Sequence, residues 1–171
     1  MKRTLIVIDM QNDFIDGSLG TKEAQAIVPN VRKKIEEYKE RGDDIYFTRD
    51  THFSNYLETN EGKKLPVEHC IRNTHGWQIS DGLGNCIGYT VIDKTTFGYI
   101  DWGSTLYMKN DTEIVGLCTD ICVVSNALIL KAKFPDINIT VDASCCAGVT
   151  PESHKAALTI MKMCQINVIG E

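Results

Sequence analysis

The sequence predicts an α/β fold: a three-layer α/β/α domain on a mostly parallel six-stranded sheet, Rossmann-like, with helices on both faces. Two observations carry this. Short apolar runs of strand length alternate with segments of helical periodicity, the pattern of successive right-handed βαβ units. The first run, TLIVI at 4–8, reads as a buried strand, as expected in a parallel sheet covered on both faces. A length of 171 residues fits one domain, 1–171, and no repeat or linker interrupts it.

The elements follow in order. Thr4–Ile8 (TLIVI) is the first buried strand, closed by Asp9. Val28, Val31, Ile35 and Tyr38 share one face of a helix, with Lys33, Glu36, Glu37 and Lys39 elsewhere on the wheel. Gly42 stands where a helix end places a left-handed residue. Strands are expected at 45–48 (IYFT) and 89–92 (YTVI), with an irregular, glycine-dotted segment over 51–89 between them. A short helix is expected over 101–108 and a strand at Thr112–Leu117. Thr119-Asp120 can cap a helix reaching Lys133, its apolar side formed by Val123, Val124, Ala127, Leu128 and Leu130. A strand at 137–141 follows. Thr150-Pro151 then opens a helix to about Met163 with Ala157, Ile160, Met161 and Cys164 on one face. The last strand is 166–169.

A net charge of −5 argues against a nucleic-acid or anionic-membrane partner, since both require a basic face. No apolar run approaches the ~18–20 residues of a membrane span. Thr4–Ile8 is too short for a secretory core and has no small-residue cleavage site. Seven cysteines, an odd count without an export signal, point to reduced cytoplasmic thiols rather than disulfides.

In open parallel sheets, ligands bind outside the carboxyl ends of the strands. Those ends bring Asp9, the 48–50 run with His52, Asp93-Lys94 and the stretch from Cys118 to Cys122 to one rim. Cys122, in the first turn of a helix capped by Thr119, is a candidate nucleophile with a depressed thiol pKa; equally, it fits a small packed residue. Asp9, at the end of a buried strand, is a candidate proton acceptor with a raised pKa, or a turn aspartate. Lys94 could neutralise both, or sit at the surface. Asp50-x-His52, with His69, Glu58 and Glu61 downstream, offers mixed N/O ligands that suit Zn²⁺, Fe²⁺ or Mn²⁺. Phe14, just beyond Asp9, is a candidate for stacking on a planar substrate; Trp77, Trp102 and Phe97 fit the core as well. His154 is expected at the surface and neutral, and Cys145, Cys146 and Cys164 as packing residues.

Five stretches, VIDMQNDF at 7–14, TRDTH at 48–52, LPVEHC at 65–70, DKTTFG at 93–98 and GLCTDICV at 116–123, resemble the isochorismatase-like cysteine hydrolase superfamily, in its nicotinamidase/pyrazinamidase branch. The resemblance runs in the same order over nearly the whole chain. It implies a triad of Asp9, Lys94 and Cys122. It also implies an oxyanion hole from the Cys118 and Cys122 backbone N–H groups, after a cis Leu117–Cys118 peptide. It implies a divalent ion, zinc first, held by Asp50, His52 and His69. The fourth ligand is usually a histidine where Glu58 stands here; the E-x-K-x-x-P setting of Glu61 resembles relatives that use glutamate, so Glu61 is favoured with Glu58 as rival. The implied activity is hydrolysis of a small amide, nicotinamide to nicotinate and ammonia, in a homo-oligomer. The alternatives are another small amide, ureido or ester substrate, or an idle ligand-binding module on the same fold.

Overall fold

In the computed structural model, which describes residues 2–105 and 110–171, the apolar runs form six strands. They are β1 (Thr4–Ile8), β2 (Asp44–Asp50), β3 (Thr90–Lys94), β4 (Thr112–Leu117), β5 (Ile139–Ala147) and β6 (Asn167–Ile169). The helices are α1 (Asn12–Ile15), α2 (Lys22–Glu40), α3 (Asn60–Lys64), α4 (Trp102–Thr105), α5 (Val124–Lys133) and α6 (Pro151–Met163). Every strand pair is parallel, in the order β3-β2-β1-β4-β5-β6. The chain builds outward from β1 through β2 to β3, then returns to lay β4, β5 and β6 on the other side. Such a reversal opens a crevice at the carboxyl ends of the two strands that flank it, here β1 and β4.

Side chains that alternate along each strand divide the core into two layers. Leu5 and Val7 of β1, with Val115 and Leu117 of β4, point toward Ile27, Val31, Ile35 and Tyr38 of α2. Ile6, Ile8 and Ile114 point the other way, onto Ala127 and Leu130 of α5 and Leu158 and Met161 of α6. Thr21 caps α2 by accepting the Ala24 N–H, and Gly42 follows its end at φ +69°. Thr150 and Ser153 form a reciprocal cap on α6, with Pro151 in the first turn. Gly116 admits no side chain, because a Cβ there would lie 2.1 Å from the Ile8 carbonyl oxygen and its φ is +120°.

Several expected boundaries differ. β2 and β3 run on to Asp50 and Lys94, because Arg49–Asp93 and Asp50–Lys94 are ladder partners. β5 starts at Ile139 and extends through a bulge over Asp142 and Ser144, where Ser144 N–H and Oγ both bind Asp142 Oδ1. The segment 51–89 is not wholly irregular: it holds α3 and two short 3-10 turns, Tyr56–Glu58 and Asp81–Leu83. The expected helix over 101–108 is observed as α4; 106–108 lie outside the described residues. On α6, Leu158 is buried while Ile160 is exposed, and Cys164 beyond its end is exposed rather than packed. All seven cysteines are free. Among the described residues no helix is long and apolar enough to cross a membrane.

Candidate active site

Four strand ends deliver the chemistry-bearing residues side by side. Asp9 follows β1 in the left-handed region, φ +47°, with no exposed surface. Thr48 of β2 fixes it twice: its hydroxyl donates to Asp9 Oδ1 at 2.6 Å and accepts the Asp9 N–H at 3.2 Å. Lys94, last in β3, is equally buried. Its Nζ lies 2.6 Å from Asp9 Oδ2, 3.5 Å from Cys122 Sγ and 3.7 Å from Asp50 Oδ1. The Lys94–Asp9 contact is a close, fully buried ion pair.

Cys122 lies in a π-type turn, Thr119–Val123, between β4 and α5. Cys118, not Thr119, is the cap residue, and the Leu117–Cys118 peptide is cis. The Thr119 hydroxyl is instead buried against Nδ1 of His154 at 2.8 Å. His154 is half-buried rather than at the surface, and burial holds its pKa down, toward the neutral ring.

The expected depression of the Cys122 thiol pKa does not hold. Burial, then the Asp9 carboxylate, push it well up, against the pull of Lys94. The wide turn at the head of α5 does not offset full desolvation. Burial also raises Asp9, against the lowering pull of Lys94. Lys94 stays protonated: burial opposes its charge, but Asp9, Cys122 and Asp50 raise its pKa further.

A second group lies beside the first. Asp50, His52, Glu61 and His69 each present a ligand atom, all within 4.8 Å of one another. His52 Nε2 lies 2.9 Å from Asp50 Oδ2 and 3.7 Å from Glu61 Oε1; His69 Nε2 lies 3.7 and 3.8 Å from the same two atoms. Tetrahedral ligands at about 2.1 Å from a metal would stand about 3.4 Å apart. His69 Nδ1 faces the Val67 carbonyl at 2.8 Å, so it carries the proton and leaves Nε2 free to ligate. His52 Nε2 is buried without a hydrogen-bond partner, as the ligating nitrogen of a metal site would be. The donor set and its spacing therefore fit a divalent ion. Glu58 is exposed and outside the cluster.

Local structure explains the convergence. His52 and Ile71 form a parallel bridge, in which the His52 N–H donates to the Cys70 carbonyl and the Arg72 N–H to that of His52, carrying His69 to His52. Thr59 caps α3 through the Gly62 N–H and sets Glu61 in its first turn; a Cβ at Gly62 would lie 2.1 Å from the Tyr56 carbonyl oxygen.

Two supporting residues escaped the sequence reading. Gln11, fully buried, accepts the Asp50 N–H at 2.7 Å and donates to the Asp50 and Trp77 carbonyls at 2.9 Å each. Asp13 accepts the Cys70 N–H at 2.7 Å, beside His69. Both lie within the VIDMQNDF stretch, and a polar Gln three residues beyond a buried strand was the available signal.

The two groups face a cavity of about 730 Å³. Cys118, Cys122 and the four potential ligands line it together with Phe14 and Phe97, while Asp9 and Lys94 lie behind Cys122, off the wall. Trp77 and Trp102 are core residues that do not reach it.

A doubly wound parallel sheet with an acid, a lysine and a thiol gathered at its switch point marks the class, an α/β hydrolase. The family follows from comparison. Residues 3–170 match the Isochorismatase domain model, and the chain belongs to the isochorismatase family. A protein of Arabidopsis thaliana described as a probable inactive nicotinamidase is 32% identical over 92% of this chain and 87% of its own. The nicotinamidase of Saccharomyces cerevisiae is 30% identical over 99% of this chain and all of its own. The crystal structure of Pyrococcus horikoshii pyrazinamidase in complex with zinc superposes with a TM-score of 0.85 at 28% identity, covering both chains fully. These relatives place the chain among hydrolases of amide C–N bonds.

Proposed function

We propose that the protein is a metal-assisted cysteine amidohydrolase that converts nicotinamide to nicotinate and ammonia through a thioester on Cys122. One observation carries the reading: a single buried lysine touches both a carboxylate, Asp9, and a thiol, Cys122, behind the wall of a cavity that also presents four metal-ligand atoms. The similarity to the yeast nicotinamidase and the Pyrococcus pyrazinamidase supports an aromatic amide as substrate.

Burial pushes the Cys122 thiol up, so the proton rests on sulfur, and burial also raises Asp9, which makes it a better proton acceptor than an ordinary carboxylate. As Cys122 Sγ bonds to the amide carbon, its proton passes to Asp9, and Lys94 offsets the negative charge throughout. The carbonyl electron pair moves to oxygen, which the Cys118 and Cys122 backbone N–H groups hold. Collapse restores the carbonyl and breaks the C–N bond, while Asp9 returns its proton to the nitrogen, which leaves as ammonia. Water then adds to the thioester and Asp9 takes its proton. Collapse breaks the C–S bond, releases the acid, and sulfur regains its proton.

Asp50, His52, Glu61 and His69 would hold the divalent ion, Zn²⁺ by likeness to the zinc-bound neighbour, with Fe²⁺ or Mn²⁺ suited to the same donors. A bound ion supplies a Lewis-acid anchor for the pyridine nitrogen. Phe14, on the wall and 5.5 Å from the His69 ring, would pack on the pyridine face. The chemistry requires a reducing compartment such as the cytoplasm, because oxidation of Cys122 would stop it.

The wild-type protein should release one ammonia per nicotinate formed, and Cys122→Ala should fall to background. Full activity in Cys122→Ala would sink the nucleophile assignment. Full activity in metal-stripped protein would sink the anchor.

A further inference from the structure

Asn126 of α5 has no exposed surface and does not line the cavity. Its Oδ1 accepts the Tyr99 N–H at 2.9 Å and the Trp102 Nε1–H at 3.0 Å. Its Nδ2 donates to the carbonyls of Phe97 at 3.1 Å and Cys122 at 2.8 Å. A side-chain amide offers two donors and two acceptor sites, so every one is used. One residue thereby ties both sides of Gly98 to the turn that carries Cys122.

The loop it ties down leaves β3 directly after Lys94 and places Thr95, Thr96 and Phe97 on the cavity wall, with Phe97 half exposed there. Independent packing holds the same loop onto α5. A Cβ at Gly98 would lie 2.4 Å from Ile129 Cδ1 and 3.2 Å from Ser125 Cβ, so the loop backbone packs directly against α5. The Phe97 wall and the Cys122 turn are therefore two parts of one hydrogen-bonded unit with Asn126 as its joint. A fully satisfied buried amide is rigid, and losing it strands four partners at once.

We propose that Asn126 is a positioning residue that sets the Phe97 wall against Cys122 and so determines how the substrate ring is held over the thiol. The proposal rests on the amidase reading above. Asn126→Ala removes all four bonds; Trp102→Phe removes one and leaves those to Phe97 and Cys122 intact, which makes it the control for stability alone.

With nicotinamide as substrate, Asn126→Ala should raise KM about tenfold while kcat changes by less than about threefold. Phe97→Ala should raise KM comparably, and the double variant no further, because both remove the same wall. Trp102→Phe should lower Tm and leave KM unchanged. If the alanine chain does not fold, Asn126→Ser, which restores one donor and one acceptor, is read by the same criteria. A wild-type KM in a folded Asn126 variant, KM effects that multiply in the double variant, or an equal rise in Trp102→Phe would each overturn the proposal.

Absence of nicotinamide turnover in the wild-type protein would instead defeat the amidase reading. Positioning is then read from alkylation of Cys122 by N-phenylmaleimide. Asn126→Ala and Phe97→Ala should both react severalfold faster than wild type and Trp102→Phe at the wild-type rate; equal rates in all four proteins overturn it.

Discussion

Replacing Lys94 with methionine keeps most of the stem and deletes the charge that faces Asp9, Cys122 and Asp50 at 2.6, 3.5 and 3.7 Å. Asp9 is then left fully buried with Thr48 as its hydrogen-bond partner. Removing one partner of a buried ion pair costs about 3–5 kcal/mol, because the other charge stays desolvated. In a chain of this size each kcal/mol lowers Tm by about 2–4 °C, so a drop of about 6–20 °C is expected. The pH dependence has a definite sign. Burial already raises the Asp9 pKa in the folded state. Without Lys94 to lower it, the folded pKa rises further above the unfolded value. The folded state then binds the extra proton, so the penalty is full above the folded pKa and is relieved as pH falls through it. Urea unfolding of wild type, Lys94→Met, Asp9→Asn and the double variant, at pH 7.5 and pH 5.5, measures this. The double variant should be less destabilised than the sum of the singles, and Lys94→Met should recover part of its loss at the lower pH. A loss below about 1 kcal/mol in Lys94→Met, or additive singles, would refute the buried-pair argument.

Other outcomes follow from the same geometry. Asp9→Asn should move two observables in opposite directions: amide turnover falls by about 10²–10⁴ with the proton acceptor gone, while iodoacetamide alkylation of Cys122 at pH 7 accelerates. The acceleration arises because a carboxylate that raises the thiol pKa is removed and Lys94 remains. A slower alkylation would contradict that electrostatic picture. Metal analysis should find about one divalent ion per chain, with His69→Ala and Glu61→Gln each reducing retention about 10-fold or more, and Glu58→Gln leaving it unchanged. Loss of metal on Glu58→Gln alone would reverse the choice of carboxylate.

Much of the fold could be read from the chain because its signals are local. The alternation of TLIVI-type runs with capped helices yields the order of elements, and the carboxyl-edge rule places Asp9, Asp50, Lys94 and Cys122 on one rim. Boundaries were less legible where polar residues continue a strand: Arg49, Asp50, Asp93 and Lys94 belong to the ladder because neighbouring strands pair with them, a tertiary fact. The thiol pKa failed for a related reason. A helix start is visible in sequence, but complete burial of Cys122 against Asp9 is not, and desolvation outweighs the helix end. Gln11, Asp13 and Asn126 were invisible as supports because their partners, Asp50, Cys70, Phe97 and Cys122, lie far away in sequence or across a turn of unusual width.

The thioester on Cys122 is the centre of the account, and acid-quenched mass spectrometry tests it directly. Enzyme mixed with excess nicotinamide and quenched within a turnover should carry one nicotinoyl group on the peptide containing Cys122, and Cys122→Ala should carry none. Ammonia release at the wild-type rate with no adduct on any cysteine, or with the adduct on a residue other than Cys122, would contradict it.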